Sequence, residues 1–170
     1  MALRTVRQYP DEVLAKKCKE VKEVTPRIKE LIRDMIETMH ESNGIGLAAP
    51  QVGIQKRLFV VDVTGDDAFV CINPEFLSKE GEQTGYEGCL SLPGYSGKVT
   101  RADRVKIRAF NENMEPFELE AEGLLARCLQ HENDHLDGIM YMEKMDGELI
   151  RNEELEEIYR EEDDYYEEEE

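Results

Sequence analysis

Residues 130–135 contain the side chains of this chain best suited to chemistry, namely His131, Glu132 and His135. Residues four apart lie on one face of an α-helix, so the two imidazoles would point at a single position. Two neutral imidazoles can bind a metal ion, and the adjacent carboxylate can take a proton from a water on that metal. A solvated helix face of mixed charge is the structural alternative, but two of only three histidines fall in this frame. The spacing therefore predicts a metal site.

A catalytic zinc-type site needs a third protein ligand and leaves one coordination position open. In metzincin proteases the third ligand is a histidine six residues past the second, and here that position is Tyr141. In thermolysin-like proteases it is a glutamate on a later helix. The candidates for that role are Glu148, Glu153 and Glu154, although such proteases need a larger body around the site than remains here.

Two cysteines are further candidates for the third ligand. Cys128 precedes His135 by seven residues, or roughly 10 Å along a helix axis, so one ion could not bind it together with both histidines. We expect Cys128 to pack in the core near the site. Cys89 lies in a glycine-flanked predicted loop that the fold can bring to the helix. A Cys89-His131-His135 set suits iron(II), zinc, cobalt or nickel better than magnesium or calcium, because a thiolate is a soft ligand.

The elements that must position these residues follow from local patterns. Thr25 as N-cap and Pro26 at the first position predict a helix that stops at Asn43 and Gly44. We expect His40, near its end, to be a surface or hydrogen-bonded histidine. The core face of this helix comprises Ile28, Leu31, Ile32, Met35, Ile36 and Met39.

The rest of the chain alternates between strand and helix patterns. Residues 58–63 and 69–72 read as strands, the second ending at Asn73-Pro74, and residues 105–110 and 116–121 read as a hairpin. From Glu122 the apolar residues recur at helical spacing, and this pattern continues into the two-histidine segment. Gly138 is placed to cap the C-terminal end of that predicted helix.

Length and charge limit the number of domains and the kinds of binding partner. The 170 residues fit one domain, and of the net charge of −18 the last nineteen residues carry −11. We therefore expect one folded domain at residues 1–150 and an acidic tail at 151–170, as a frayed helix or a disordered segment. Direct binding to nucleic acid or an anionic membrane is disfavoured, because both need clustered Lys and Arg.

The cellular location is predicted from the absence of a signal-peptide pattern and of a long apolar run. Residues 1–10 lack the apolar core of a signal peptide, and no apolar run approaches the roughly 20 residues that span a bilayer. We expect the protein to stay where it is made and its four cysteines to be thiols.

Three segments together resemble the peptide deformylase family over about residues 3–148. They are residues 44–51 (GIGLAAPQ), 87–91 (EGCLS) and 131–135 (HENDH), in the family's order and at familiar separations. The acidic end departs from the family's usual closing helix.

The resemblance implies an α+β fold in which antiparallel sheets surround a central helix carrying the HExxH motif. It implies one divalent metal ion bound by Cys89, His131 and His135, natively iron(II), with zinc, nickel or cobalt as substitutes. Glu132 would move the proton from water to the leaving amine, while the Leu90 backbone N–H and the Gln51 amide would stabilise the oxyanion.

The implied activity is hydrolysis of the N-formyl group of N-formylmethionyl peptides and nascent chains, with release of formate. The implied setting is a monomer near the ribosome exit in a bacterial-type cytoplasm. Two alternatives stay open: a small zinc metalloprotease using a downstream glutamate, and a structural metal site closed by a fourth protein ligand. The implied substrate-binding residues are Gly44, Ile45, Gly46, Gly88, Leu124 and Cys128.

Overall fold

Two antiparallel sheets and three α-helices make up the fold in the computed structural model, which describes residues 2–168, with side chains through residue 163. A five-stranded sheet has the order β1-β2-β3-β6-β7, and a three-stranded sheet has the order β4-β5-β8. The predicted α+β class with antiparallel sheets is confirmed. The helices are α1 (Pro26–Glu41), α2 (Gly123–Leu136) and α3 (Asn152–Glu168). The strands are β1 (Gly46–Ala48), β2 (Leu58–Val61), β3 (Phe69–Glu80), β4 (Gln83–Cys89), β5 (Leu92–Arg101), β6 (Arg104–Phe110), β7 (Pro116–Glu122) and β8 (Met145–Arg151).

Helix α1 begins and ends where its sequence signals predict. The Thr25 hydroxyl accepts a hydrogen bond from the Ile28 N–H at 3.3 Å, and Pro26 is the first helical residue. The helix ends at Glu41, and Asn43 then adopts a φ of 56°, which turns the chain toward β1. The predicted apolar stripe covers one face of the five-stranded sheet.

Strand β2 is apolar at every position because both of its faces are covered. Leu58 and Val60 pack in the core cluster that contains the α1 stripe, whereas Phe59 and Val61 pack in the cluster that contains α2 residues. Successive strand residues point to opposite faces, so a continuously apolar strand indicates a sheet buried on both sides. This packing fixes α2 against the sheet that carries β1.

Three parts of the fold differ from the sequence-based expectations. Strand β3 does not end at Asn73-Pro74 but continues to Glu80 past a register shift, and the Asn73 side chain bonds both the N–H and the C=O of Val21 at 2.8 Å. Cys89 is the last residue of β4 rather than a loop residue. Strand β8 begins at Met145, after which the falling apolar content gave no strand signal.

The C-terminal part of the described chain forms α3, where a frayed helix or a disordered tail was expected. The last two residues of the acidic segment lie outside the described residues. Among the described helices, none has the length and apolar character needed to cross a bilayer.

Candidate metal centre

Helix α2 carries both histidines, as the sequence predicts. It begins at Gly123 directly after β7 and ends at Leu136, and Gly138, with a φ of 75°, follows its C-cap. Cys128, Leu129 and Leu136 pack in the core shared with the five-stranded sheet. This packing buries the histidine-bearing face of the helix, so that His131 and His135 are both buried.

The end of β4 brings Cys89 to the two histidines. One potential ligand atom from each of Cys89, His131 and His135 lies within 4.8 Å of the other two. The Cys89 Sγ is 3.3 Å from the His135 Nε2. Cys89 and Leu92 pair across the tight turn between β4 and β5, which fixes the cysteine at the end of the strand. If these three residues held an ion that takes four ligands, one coordination position would stay open, as in a catalytic site.

The chemistry of these donors fits a borderline or soft divalent ion. The His131 Nδ1 lies 2.8 Å from a Glu87 carboxylate oxygen, which leaves the Nε2 of that ring for a metal. Burial lowers the pKa of His135 well below its ordinary value and so favours the neutral imidazole that binds metals. One thiol and two imidazoles form a set that suits iron(II), zinc, cobalt or nickel.

Glu132 lies beside this cluster and is buried. Its side chain lines the pocket, only 4% of the residue is exposed, and its Oε1 has no hydrogen-bond partner among the described residues. Burial raises the pKa of Glu132 to about 7, because a carboxylate is poorly stabilised away from water. A group with this pKa can both accept and donate a proton near neutral pH.

Gly46 allows strand β1 to approach the Glu132 carboxylate. A Cβ atom at this position would collide with the Glu132 Oε2 and would lie 2.9 Å from the Cys128 Sγ. The Cys128 thiol donates to the Ile45 carbonyl at 3.4 Å, which also ties β1 to α2. The glycine therefore has a packing reason that its sequence context alone did not reveal.

Gln51 reaches the ligand cluster from the short 3-10 helix Ala49–Val52. Its Oε1 accepts a hydrogen bond from the Ala48 N–H at 2.9 Å, which orients the amide. The Nε2 then donates to the Cys89 Sγ at 3.4 Å and to the Ser91 Oγ at 3.0 Å. Leu90 lies between Cys89 and Ser91 and lines the same pocket.

A pocket of about 410 Å³ opens in front of the cluster. Two large apolar residues at its wall stay partly in solvent, Ile45 at 40% and Leu124 at 52% exposure. His135 lies outside the pocket lining, behind Cys89. The other site residues that the resemblance implies all line the pocket, namely Gly44, Ile45, Gly46, Gln51, Gly88, Cys89, Leu90, Leu124, Cys128, His131 and Glu132.

Glu87 contacts His131, and the sequence analysis assigned no role to it. It is 6% exposed, and besides His131 it accepts hydrogen bonds from Arg101 and Arg127. Burial works to raise its pKa, but the hydrogen bonds from His131 and Arg101 outweigh burial and bring the pKa to about 2. Two signals were available in the sequence. Glu87 is the first residue of the EGCLS segment, and Arg127 lies four residues before His131 on the same helical face.

The alternative third ligands do not join the cluster. Tyr141 is buried against the His131 ring in a stacked arrangement, with 6.0 Å between ring centroids. Among the described side chains, the cluster of potential metal ligands contains Cys89 but none of the downstream glutamates Glu148, Glu153 and Glu154.

Known proteins share both the sequence and the fold. The family model for polypeptide deformylases matches residues 3–149. A peptide deformylase of Agathobacter rectalis is 60% identical over 149 residues, which cover 88% of this chain and 94% of that protein. The crystal structure of a peptide deformylase from Legionella pneumophila has a TM-score of 0.83 at 43% identity, over 85% of this chain and 86% of that one. A peptide deformylase from Synechococcus elongatus, in complex with actinonin, has a TM-score of 0.81 at 40% identity, over 84% and 78% of the two chains. With the three motifs converging at one pocket, these matches show that the chain belongs to the polypeptide deformylase family.

Proposed function

We propose that Cys89, His131 and His135 hold one divalent metal ion and that Glu132 is the acid–base group of the reaction. As a member of its family, the protein is a hydrolase that removes the formyl group from N-formylmethionine of new polypeptides and releases formate. The observation that carries the residue assignment is the convergence of one thiol and two imidazoles beside a buried carboxylate.

Iron(II) is the proposed native metal, with zinc, nickel or cobalt as substitutes. The sulfur of Cys89 and the two imidazole nitrogens support this choice, because soft and borderline ligands suit these ions. When bound, such an ion supplies Lewis acidity, which makes water a better nucleophile at neutral pH and polarises a carbonyl group.

Glu132 carries the proton. In its ionised form it takes a proton from the water whose oxygen attacks the formyl carbon. When the carbon–nitrogen bond breaks, the same group delivers that proton to the departing amine of methionine, and formate is the other product. The burial of Glu132 and its pKa of about 7 support both proton transfers.

Two donors stabilise the negative charge that develops on the formyl oxygen. We assign them to the Gln51 side-chain amide and the Leu90 backbone N–H. The Gln51 Nε2 lies at the ligand cluster and uses its two N–H groups on the Cys89 Sγ at 3.4 Å and the Ser91 Oγ at 3.0 Å, so one of these bonds gives way when the amide donates to the oxyanion. Leu90 directly follows the cysteine ligand and lines the pocket.

The substrate binds as an extended chain beside residues 44–46. Strand β1 is an edge strand of the five-stranded sheet, and an extended peptide can add to such an edge through main-chain hydrogen bonds. Gly88 also lines the pocket, and Ile45, Leu124 and Cys128 offer an apolar surface for the methionine side chain.

The proposal also covers the source of the substrates, the cellular location, the oligomeric state and the domain boundaries. We place the substrates on nascent chains near the ribosome exit and the enzyme in a bacterial-type cytoplasm as a monomer. We further assign residues 1–150 to the catalytic domain and residues 151–170 to an acidic tail outside it. The family match, which ends at residue 149, supports this division.

A formate-release assay tests the proposed activity. Protein loaded with iron(II) or nickel under anaerobic conditions should release formate from formyl-Met-Ala-Ser, leave acetyl-Met-Ala-Ser intact and be inhibited by actinonin. Casein should stay uncleaved, because no downstream glutamate joins the ligand cluster among the described residues. Casein cleavage without formate release would instead support the metalloprotease alternative.

A further inference from the structure

We propose that Arg127 is a positioning residue, which acts through Glu87 to hold the His131 ring and the Cys89 end of β4 in the arrangement that retains the metal. This inference rests on the proposed metal site. It assigns a role to a residue that itself provides no ligand atom.

Arg127 and His131 bind the same carboxylate from one face of α2. The Arg127 Nη1 lies 2.5 Å from the Glu87 Oε2, and the His131 Nδ1 lies 2.8 Å from the Glu87 Oε1. Glu87 precedes Cys89 by two residues on β4. One carboxylate therefore joins the helix that provides two ligands to the strand that provides the third.

The Glu87 carboxylate is fully occupied by donors. Arg101 donates to both of its oxygens, from Nε to Oε2 at 2.5 Å and from Nη2 to Oε1 at 2.9 Å. Together with Arg127 and His131 these bonds use about four acceptor positions, which is the capacity of a carboxylate. Loss of Arg127 opens one position on Oε2 and removes one of the two contacts that join Glu87 to α2, the other being that of His131. A partner that orients a ligating imidazole also fixes its tautomer and thereby affects metal affinity.

Arg127 also attaches the edge of the small sheet to the helix. Its Nε donates to the Gln83 Oε1 at 3.2 Å, its Nη2 donates to the Gln83 carbonyl at 3.3 Å, and its Nη1 donates to the Val99 carbonyl at 3.1 Å. Strand β4 is an edge of its sheet, so donors from outside the sheet are needed on that side. A planar guanidinium can serve several acceptors at once, whereas the single ammonium of lysine cannot reproduce this pattern.

Metal affinity is the measurement that separates this role from general packing. Zinc and cobalt(II) affinities are measured by chelator competition for the wild type, Arg127→Met and Arg127→Lys. We expect about ten- to a hundred-fold weaker binding for Arg127→Met, as for other residues that orient metal ligands. An intermediate loss is expected for Arg127→Lys. The thiolate-to-cobalt absorption band should shift in Arg127→Met, because Cys89 loses its fixed position.

Arg4→Met is the matched control. Arg4 pairs with buried Asp34 at 3.0 Å, and neither residue belongs to the metal cluster or lines the pocket in front of it. We expect this variant to lose stability while keeping the metal affinity of the wild type. Equal losses of affinity in Arg4→Met and Arg127→Met would overturn the proposal, because global destabilisation would then explain both.

The remaining outcomes are also decisive. Wild-type affinity in a folded Arg127→Met overturns the proposal, and if that variant does not fold, wild-type affinity in Arg127→Lys overturns it instead. Failure of the wild type itself to bind metal and release formate contradicts the proposed function, a result that does not depend on Arg127.

Discussion

At the scale of single residues, the site separates metal binding from proton transfer. In the proposed site Cys89, His131 and His135 would provide the ligand atoms, while Glu132 lies next to them with one carboxylate oxygen that has no partner among the described residues. A buried acceptor without a partner costs stability. The same burial that costs stability places its pKa at about 7.

Glu132→Gln tests this separation. Glutamine keeps the size of the side chain and adds no charge, but it cannot take a proton from water. We expect the metal content to equal that of the wild type and kcat for formyl-Met-Ala-Ser to fall by about 10²- to 10⁴-fold, the usual contribution of a general acid–base group. Metal analysis and the formate assay on the same samples measure both effects.

Glu148→Gln is the control for that experiment. Glu148 is an exposed glutamate on β8, and it is one of the downstream glutamates that a metalloprotease-type site would use. Its loss should leave kcat and metal content unchanged. Unaltered turnover in Glu132→Gln, or lost metal in Glu148→Gln, would contradict the roles assigned here.

At the scale of elements, the connection after β2 depends on one buried carboxylate. Asp62 follows β2 and accepts hydrogen bonds from the Gly65 N–H at 2.8 Å and the Asp67 N–H at 3.2 Å. Its other oxygen lies 2.6 Å from the His40 Nε2 near the end of α1. The Asp62 N–H in turn donates to the Ile45 carbonyl at 2.9 Å, so this connection supports the segment that leads into β1.

Asp62→Asn should change how stability depends on pH. The hydrogen bond with His40 lowers the pKa of Asp62 below its ordinary value of 3.8, so folding favours the carboxylate. Its stabilisation is present above pH 3.8 and is lost as the pH falls through the lower pKa of the folded state. We therefore expect the variant to be less stable than the wild type at pH 7 and the two to converge toward pH 2.

Urea unfolding of metal-free protein from pH 2 to 7 measures this difference, since acid also releases metal from its ligands. Asp66→Asn, in the same connection but exposed, is the control and should follow the wild-type curve. A constant difference between Asp62→Asn and the wild type across the range would show that the lost interaction does not involve ionised Asp62.

The elements that were predictable are those with local signals. Helices α1 and α2 and the hairpin of β6 and β7 follow from capping residues, periodicity and turn residues that lie next to each other in the chain. Strand β8 has no such signal, since it is held by backbone pairing with β5. The cluster around Glu87 was equally hidden, because its partners Arg101 and Arg127 are distant in sequence and only the fold brings them together.

At the scale of the whole molecule, charge is distributed unevenly along the chain. The segment from Asn152 to the end carries −11, and the remainder carries −7. Helix α3 begins beside the pocket, because Asn152 lines it and accepts a hydrogen bond from the Ser96 hydroxyl at 2.7 Å. Tyr159 of α3 packs edge-on against Tyr86, another pocket residue, with 6.4 Å between ring centroids. The acidic helix therefore lies near the substrate entrance.

This location predicts that the enzyme favours cationic peptides when salt is low. Long-range attraction raises association rates for oppositely charged ligands, and it is screened over roughly 8–10 Å at physiological ionic strength. We expect kcat/KM for formyl-Met-Lys-Lys to exceed that for formyl-Met-Glu-Glu several-fold in dilute buffer and the ratio to approach one near 1 M salt. A chain ending at Arg151 keeps β8 and carries only −7, so its ratio should be smaller at low salt and equal to that of the full chain at high salt. An unchanged ratio in the shortened chain would assign the preference to the catalytic domain, because the shortened chain lacks all of α3.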